Sequence, residues 1–273
     1  MDEIDEMITL LGQMETAVVI GSYRNSLQDG CCIPVIHYED QAERKLRIQD
    51  VYHPLLTNPV KNSLLAERGV LLTGSNASGK STFLRTVAIS ALFAQTIHTC
   101  SASYYEAPVF RIYSSMSLKD NLLGGDSYYM AAIKSMKRIL DQSRIAGKEK
   151  IHVLCFVDEV LRGTNTVERI AASTRIMQMF ADEQTLCFAA THDVELTKLL
   201  VDRYDNYHFE ERIEEEDIYF PYRLMTGPAT SRNAIALLKM LGYDDRIISG
   251  AEEMAENFLK TGKWDRPELS GKV

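Results

Sequence analysis

Three uninterrupted apolar runs along the chain indicate strands that are buried on both faces. They cover residues 69–73, 151–157 and 185–190. Their β-branched and aromatic residues favour strands over helices, and continuous apolar character without alternation is typical of a parallel sheet. Because segments with helical spacing lie between these runs, the pattern predicts an α/β fold with a mostly parallel sheet flanked by helices.

The N-terminal part of the chain has weaker patterns. Residues 2–28 have the spacing of an amphipathic helix, with apolar positions at Ile4, Met7, Leu10, Leu11, Met14 and Val18. Residues 32–38 and 45–48 have the composition of short strands. They predict a small antiparallel β addition beside the main sheet.

The C-terminal part predicts a hairpin and two helices. The acidic run 210–217 is expected to be the solvated turn of a hairpin between residues 206–209 and 218–220. Residues 231–241 and 244–258 have helical spacing. A break at Gly242 makes them a C-terminal helix-turn-helix.

The turn after the first apolar run has the composition of a phosphate-binding loop. Its residues are Gly74, Ser75, Asn76, Ala77, Ser78, Gly79, Lys80, Ser81 and Thr82. The glycines allow a tight turn whose backbone amides point at phosphate oxygens. Lys80 supplies charge for the β- and γ-phosphates, and the Ser81 hydroxyl is a ligand for Mg²⁺. Because a strand precedes the loop and a helical pattern follows it, we expect the chain to bind a nucleoside triphosphate.

Polar residues at the ends of the other two apolar runs extend this site. Asp158 and Glu159 follow the second run, and His192 follows the third. Ligands of open α/β sheets bind at the carboxyl ends of the strands. We therefore expect Asp158 to hold Mg²⁺, Glu159 to polarise the attacking water, and His192 to reach the γ-phosphate or that water. Acids that are merely solvated at a strand end are the alternative, which a phosphate loop in the same chain disfavours.

In their order and wording, these motifs resemble the MutS-type ATPases of DNA mismatch repair, which belong to the ABC class of P-loop NTPases. Residues 157–166 are similar to the family's Asp-Glu-x-x-Arg-Gly-Thr-x-Thr segment, and residues 188–196 to its Ala-Thr-His-x-x-Glu-Leu segment. Residues 120–130 lie where the family has a Ser-containing signature loop, and residues 52–56 resemble its Arg-His-Pro element. The resemblance covers roughly residues 30–260.

The resemblance implies an ATP-binding and ATP-hydrolysing module that relays its nucleotide state to DNA-binding parts. Its cofactors would be ATP or ADP with Mg²⁺. In a homodimer built around two nucleotides, Ser127 would act in trans as a catalytic residue. By position, Val60 and Tyr222 would stack on the adenine base. A simple helix N-cap is the alternative for Ser127, and an ordinary strand aromatic is the alternative for Tyr222.

The resemblance also implies a division of the chain. The expected parts are a lever-helix stub (1–28), an ATPase domain (29–262) with a nucleotide core (69–205), a hairpin (206–226) and dimerisation helices (231–259), and a flexible tail (263–273). The family's mismatch-reading domains have no counterpart here, so DNA would be contacted through regions outside this chain. Ser75 in place of the usual Pro, and Tyr52 in place of the usual Arg, indicate a divergent member or a fragment.

The net charge, the cysteines and the lengths of the apolar stretches argue against some classes of function. A formal net charge of -8 and a pI near 5.4 argue against an independent duplex-DNA binder, because such binding comes mainly from Lys and Arg. The five cysteines are scattered, and we expect them to be reduced in a cytoplasmic protein. No apolar stretch approaches the roughly 18 residues that span a bilayer, so no membrane anchor is expected in this sequence.

Two other functions remain as alternatives. Another ABC-type ATPase subunit would share the three strand-end elements, but its Leu-Ser-Gly-Gly-Gln signature is absent, and the Arg162-Gly163-Thr164 wording favours the MutS type. A low-turnover nucleotide-binding module would keep the phosphate loop without hydrolysis. The presence of both Asp158 and Glu159 argues against it.

Overall fold

The structure is a computed structural model, which describes residues 2–27, 30–39, 42–116, 128–183, 185–214, 217–229 and 234–264. The chain divides into two compact units. The first consists of residues 1–210 and 221–229, and the second of residues 211–220 and 230–273.

The first unit holds most of the helices and strands. Its helices are α1 (Asp2–Ser26), α2 (Lys80–Ile97), α3 (Tyr128–Lys148), α4 (Thr166–Asp182) and α5 (Glu195–Leu199). Its strands are β1 (Val35–His37), β2 (Leu46–Val51), β3 (Asn62–Ala66), β4 (Gly69–Thr73), β5 (Tyr104–Pro108), β6 (Phe110–Ser115), β7 (His152–Asp158), β8 (Thr185–Ala190), β9 (Tyr204–His208) and β12 (Met225–Thr226). The second unit holds β10 (Arg212–Glu214), β11 (Asp217–Tyr219), α6 (Ala234–Met240) and α7 (Asp245–Thr261).

The central sheet has six strands in the order β12-β9-β4-β8-β7-β6. All neighbours are parallel except β12, which pairs antiparallel with β9. The three apolar runs become β4, β8 and β7, which lie side by side. Their carboxyl ends therefore meet at one edge, where Leu72 pairs with Ala190 and Asp158 pairs with Ala190 on its other side. The α/β fold predicted from the sequence is confirmed.

Both faces of the central sheet are buried, which explains why its strands are apolar without alternation. On β7, Leu154 and Phe156 point into a core beneath α2, whereas Cys155 and Val157 point into a second core beneath α3 and α4. Strands β4 and β8 divide their side chains between the same two cores. Since each residue of these strands meets an apolar neighbour, none needs to be polar for solvation.

A second, four-stranded sheet has the order β1-β5-β2-β3. Strand β2 pairs antiparallel with β3 and β5, whereas β1 pairs parallel with β5. The antiparallel addition predicted from residues 32–38 and 45–48 is therefore larger and mixed. It recruits β5 from beyond α2, a pairing that local strand patterns do not reveal.

Helix α1 is amphipathic in sequence, but most of its apolar side chains are exposed. More than half of the surface is accessible for Ile4, Met7, Ile8, Leu10, Leu11, Met14, Val18 and Val19. Its last turns contact the end of α2. The Arg24 Nε donates to Thr99 Oγ1 at 2.8 Å, and the Tyr23 ring packs edge-on against Phe93 at 5.4 Å between centroids.

The acidic run differs from its prediction. Residues 206–209 were expected to pair with 218–220, but residues 206–208 belong to β9, which lies between β12 and β4 in the main sheet. The hairpin lies within the acidic run, where β10 pairs antiparallel with β11. Pairing with the buried strand β4 takes β9 into the main sheet, and the acidic residues Glu214 and Asp217 lie in β10 and β11. The central sheet thus extends past residue 205 through β9.

The two C-terminal helices pack against each other within the second unit. Residues 241–244 separate them, with Gly242 at φ 74°, a left-handed conformation that glycine adopts readily. The side chain of Asp244 caps α7 by accepting a hydrogen bond from the Arg246 amide at 2.9 Å. Among the described residues, no helix is both long and apolar enough to cross a membrane.

Candidate nucleotide-binding site

The phosphate loop joins β4 to the first residue of α2. Three of its residues have positive φ: Gly74 at 138°, Ala77 at 63° and Gly79 at 111°. A Cβ at Gly74 would lie 2.4 Å from the Phe209 carbonyl oxygen, so no larger residue fits there without a shift. These positive-φ residues allow a tight turn in front of the N-terminus of α2, the kind of loop whose backbone amides bind anions.

Lys80 is held against this loop. Its side chain is 6% exposed, and its Nζ donates to the carbonyl oxygens of Gly74 at 2.8 Å and Ser75 at 2.6 Å. The Ser78 hydroxyl donates to the same Ser75 carbonyl at 2.9 Å. These hydrogen bonds link Lys80 and Ser78 to carbonyl groups of the loop, so the Lys80 ammonium group is held against it.

A cavity of about 430 Å³ opens beside the loop, entirely within the first unit. One wall comes from residues 75–83 of the loop and α2, and the opposite wall from residues 51–53 and 56–60. Asn62, Thr86, Glu159, Phe209 and Tyr222 complete the lining. Both apolar residues expected near the base, Val60 and Tyr222, therefore line the cavity that contains the phosphate loop.

The side chain of Asn62 ties the chain just after residues 56–60 to the segment that carries Tyr222. The Asn62 Nδ2 donates to the Tyr222 carbonyl at 3.0 Å, and its Oδ1 accepts from the Leu224 amide at 2.7 Å. Tyr222 has a left-handed backbone, with φ 53°, and a Cβ on Gly79 would lie 3.1 Å from its ring. Asn62 thus holds a strained segment over the phosphate loop, a role that local sequence does not indicate.

Glu159 and His192 meet at the carboxyl edge of the sheet. The Glu159 Oε1 lies 3.1 Å from the His192 Nε2, and its Oε2 lies 3.4 Å from an Arg162 guanidinium nitrogen. The Glu159 amide donates to the Ala190 carbonyl at 3.1 Å, which ties it to the end of the neighbouring strand. Sequence reasoning identified Glu159 and His192 separately, and the structure brings them together as a hydrogen-bonded pair.

The backbone after β7 is strained. Glu159 has φ 61° and Leu161 has φ 52°, and for residues with a Cβ each such conformation costs on the order of 1–3 kcal/mol. The buried side chains of Val160 and Leu161 anchor the turn in the core beneath α3 and α4. The Glu159 side chain that this turn carries lines the same cavity as the phosphate loop.

An ion pair that the sequence did not reveal supports the turn at His192. Arg169 on α4 donates to both carboxylate oxygens of Asp193, at 2.9 and 2.6 Å. The hydrogen bonds from Asp193 raise the pKa of the Arg169 guanidinium further above its ordinary value. Asp193 was visible beside His192 in the sequence, but Arg169 becomes its partner only through the packing of α4 against β8.

A smaller cavity of about 180 Å³ adjoins the first and contains this ion pair. Arg162, Arg169, His192 and Asp193 line it. Glu159 and Asn76 line both cavities. The carboxylate of Glu159 therefore stands where the phosphate loop and the His192 turn meet.

Some of the remaining predicted residues line a cavity, and others do not. Ser81 and Thr82, at the start of α2, line the larger cavity. Asp158 ends β7 beside Glu159, but it is not among the residues that line either of these two cavities. Ser127 lies outside the described residues. His53, which the sequence placed only in a family element, lines the larger cavity, and burial lowers the pKa of its imidazole.

The chain is similar to known proteins over most of its length. The family described as MutS domain V matches residues 70–259. The DNA mismatch repair protein MutS of Thermus thermophilus is 33% identical over 215 residues, which are 77% of this chain and 26% of that protein. The MutS proteins of Thermotoga petrophila and Methanothrix thermoacetophila are 32% and 27% identical, over 82% and 93% of this chain and 30% and 29% of theirs.

The chain thus spans less than a third of the length of these curated relatives. The matched region contains the phosphate loop, the Glu159 turn and the His192 turn. The resemblance inferred from the motifs is confirmed, and the chain belongs to the MutS family.

Proposed function

We propose that this chain is the ATP-binding and ATP-hydrolysing module of a MutS-related DNA repair or recombination protein. One observation carries the proposal: Glu159, paired with His192, lines the same cavity as the phosphate loop. A loop alone supports binding, whereas a positioned carboxylate beside it supports hydrolysis.

The phosphate end of the cavity favours a nucleotide polyphosphate. Backbone amides of residues 75–79 and the N-terminus of α2 supply partial positive charge, and Lys80 supplies a full one. Val60 and Tyr222 offer apolar surface for a base in the same cavity, with the Tyr222 ring beside the Gly79 backbone of the loop. The cavity thus combines an anion site with a stacking site.

The hydroxyl of Ser81, at the start of α2, and the carboxylate of Asp158, at the end of β7, are groups of the kind that Mg²⁺ binds. Ser81 and Asp158 would hold the ion, and phosphate oxygens and waters would complete its shell. When bound, it would neutralise charge on the phosphates.

Glu159 is the proposed general base. Its carboxylate would accept a proton from the attacking water, and the hydrogen bond to the His192 Nε2 would hold it in place for that task. The Arg169–Asp193 ion pair would fix the turn that carries His192. The strain at Glu159 is then part of the site, since it keeps the carboxylate turned toward the loop.

A Glu159→Gln substitution tests the proposal. ATP hydrolysis should fall by about 10²–10⁴-fold while ATP affinity stays within a few-fold, because phosphate and metal contacts remain and only the proton acceptor is lost. Glu168→Gln is the matched control, since Glu168 is an exposed acid on the first turn of α4. It should leave both quantities unchanged.

Each other outcome has a distinct meaning. Equal loss of binding and hydrolysis would assign Glu159 to the metal shell instead. A wild-type chain that binds ATP tightly without measurable hydrolysis would favour a low-turnover nucleotide-binding module. Hydrolysis that survives in the Glu159→Gln variant would contradict the role of this residue.

We further propose that the module forms a homodimer around two nucleotides and relays nucleotide state to DNA-binding regions outside this chain. The likeness to whole MutS proteins, of which this chain covers less than a third, supports the existence of such regions. In the dimer, Ser127 would complete the site of the opposite subunit. No direct contact between this acidic chain and duplex DNA is required.

Mixing two inactive variants tests the dimer. Lys80→Ala and Ser127→Ala chains together should recover part of the ATPase activity that each lacks alone, because one composite site in the mixed dimer keeps both residues. The control is the same mixture made from two Lys80→Ala preparations. If mixed dimers form and remain inactive, Ser127 is a helix cap and not a catalytic residue.

A further inference from the structure

Two cysteines face each other where the segment after α1 crosses the segment after α2. Cys32 and Cys100 form an isolated antiparallel bridge outside the named strands. The Cys32 amide donates to the Cys100 carbonyl at 3.0 Å, and the Cys100 amide donates to the Cys32 carbonyl at 3.1 Å. The two residues therefore form a hydrogen-bonded pair with side chains on the same face.

This geometry suits a disulfide. The Cα atoms of a hydrogen-bonded antiparallel pair are about 5.5 Å apart, inside the roughly 4.4–6.8 Å range that disulfides span. The Cys100 thiol also donates a hydrogen bond to the Ser90 carbonyl at 3.3 Å.

We propose that Cys32 and Cys100 are a thiol oxidation site, which forms a reversible intramolecular disulfide when the chain meets a low-molecular-weight disulfide such as oxidised glutathione. The reduced pair is the structure described above, in which all five cysteines are free. The site is separate from the nucleotide cavity, which neither residue lines.

The environments of the two sulfurs assign their roles. Cys32 is half-buried, and a hydrogen bond from the Cys100 thiol lowers its pKa, with further help from the Tyr105 backbone. Cys100 is buried, and its contact with Cys32 together with burial raises its own pKa. Cys32 is therefore the attacking thiolate, and Cys100 is the thiol that resolves the mixed disulfide.

The electrons and atoms balance in two exchanges. The Cys32 thiolate attacks one sulfur of oxidised glutathione, forms a mixed disulfide and releases one glutathione thiolate. Cys100 then loses its proton and attacks the Cys32 sulfur, which releases the second glutathione. Two protein thiols are oxidised to one disulfide while one glutathione disulfide is reduced to two thiols.

A second cysteine pair serves as an internal control. Cys155 and Cys187 are directly paired in register between β7 and β8, but both have no exposed surface. Burial raises the pKa of Cys155, so it offers little thiolate to an oxidant. In both pairs the two cysteines are neighbours, but only the first pair has a solvent-accessible member, Cys32.

The cross-link would act on the contact between α1 and α2. In the reduced protein, this contact includes hydrogen bonds from Arg24 to Thr99 and to the carbonyls of Ile97 and His98. A Cys32–Cys100 bond adds a covalent tie within a few residues of these groups. It also closes a loop of about 70 residues, which restricts the unfolded chain.

Peptide mapping tests the site. The 273-residue chain is incubated with oxidised glutathione, free thiols are alkylated, and the digest is examined by mass spectrometry without reduction. We expect a linked peptide that joins Cys32 to Cys100 and disappears on reduction, with Cys155 and Cys187 unlinked. Cys31→Ser should retain the link and Cys32→Ser should abolish it.

Two results would overturn the proposal. One is the recovery of Cys32 and Cys100 as separate alkylated peptides at every oxidant concentration, when the folded chain is oxidised first and then denatured for alkylation. The other is a link that uses Cys31 in place of Cys32, detected as its loss in the Cys31→Ser variant. Because both variants change accessible residues and leave the buried Cys100 in place, folding is not at issue in either.

Thermal melting gives a second readout. The oxidised chain should melt on the order of 5–10 °C above the reduced chain, because the cross-link restricts the unfolded state. Cys32→Ser should show no such rise under the same oxidant. An unchanged melting temperature in fully cross-linked protein would mean that strain in the native state offsets the restriction of the unfolded chain, contrary to the geometric fit on which the proposal rests.

Discussion

The two ends of the candidate nucleotide cavity are built in different ways. The phosphate end comes from consecutive residues 74–82, whose turn and helix N-terminus follow directly from their order in the chain. The base end joins Val60 to Tyr222, which are far apart in sequence and are held together by the Asn62 side chain. The first end is local, and the second depends on tertiary packing.

This difference indicates which part of the cavity should tolerate substitutions. At the phosphate end, a Cβ on Gly74 would collide with the backbone of Phe209, so the loop has little freedom. At the base end, Tyr222 is 46% exposed and Val60 is 38% exposed. We therefore expect large effects from substitutions at the phosphate end and graded effects at the base end.

The largest effect should come from Lys80→Ala. Removing the charge that faces the phosphates costs about 1.5–3 kcal/mol or more, which corresponds to roughly 10–150-fold weaker ATP binding. Lys148→Ala, at the exposed end of α3, is the control. Calorimetry with ATP and with tripolyphosphate should show the same loss for both ligands, and an unchanged ATP affinity would remove Lys80 from the site.

Tyr222→Ala should have an effect of about 1–3 kcal/mol on ATP and ADP alike, because base stacking on an aromatic ring is lost. Tripolyphosphate has no base, so its affinity should not change. Tyr222→Phe keeps the ring and should bind ATP normally. If Tyr222→Ala also binds ATP normally, Tyr222 is an ordinary surface aromatic and the base lies elsewhere.

Asn62→Ala should have the smallest effect of the three. It removes the hydrogen bonds to the Tyr222 carbonyl and the Leu224 amide, each with a net worth of about 0.5–1.5 kcal/mol. Asn62→Asp keeps the acceptor for Leu224 but loses the donor to the Tyr222 and Val60 carbonyls and adds a negative charge to the cavity lining. In Asn62→Ala, which adds no charge, ATP affinity should fall modestly while tripolyphosphate affinity stays constant. A loss with tripolyphosphate would mean that Asn62 supports the phosphate loop instead.

The turn that carries Glu159 is partly local in origin, like the phosphate loop, and partly dependent on tertiary packing, like the contact of Val60 and Tyr222. Its residues are consecutive, and their acidic character after an apolar run pointed to the site from sequence alone. Its geometry, however, depends on left-handed backbone at Glu159 and Leu161 and on a hydrogen bond to His192, about thirty residues later. Sequence reasoning found the two side chains, and the packing of β7 beside β8 brought them within 3.1 Å.

The elements that were misplaced share one cause. Residues 206–209 look like a hairpin arm because acidic residues follow them, yet β9 pairs with the buried strand β4. The mixed second sheet likewise recruits β5 across the whole of α2. In both cases a local pattern identified a strand, and its partner was chosen by the burial available elsewhere in the chain.

By itself, the sequence determined the α/β class, the three central strands, the phosphate loop and the family. These features depend on short-range rules: apolar runs must be buried, and glycine, lysine and serine in a fixed order shape one turn. Only the tertiary structure decided which distant groups meet, such as Arg169 with Asp193, Asn62 with Tyr222, and Cys32 with Cys100. The physical reason is that these contacts depend on strand order and register, which follow from the packing of the whole core and not from any single segment.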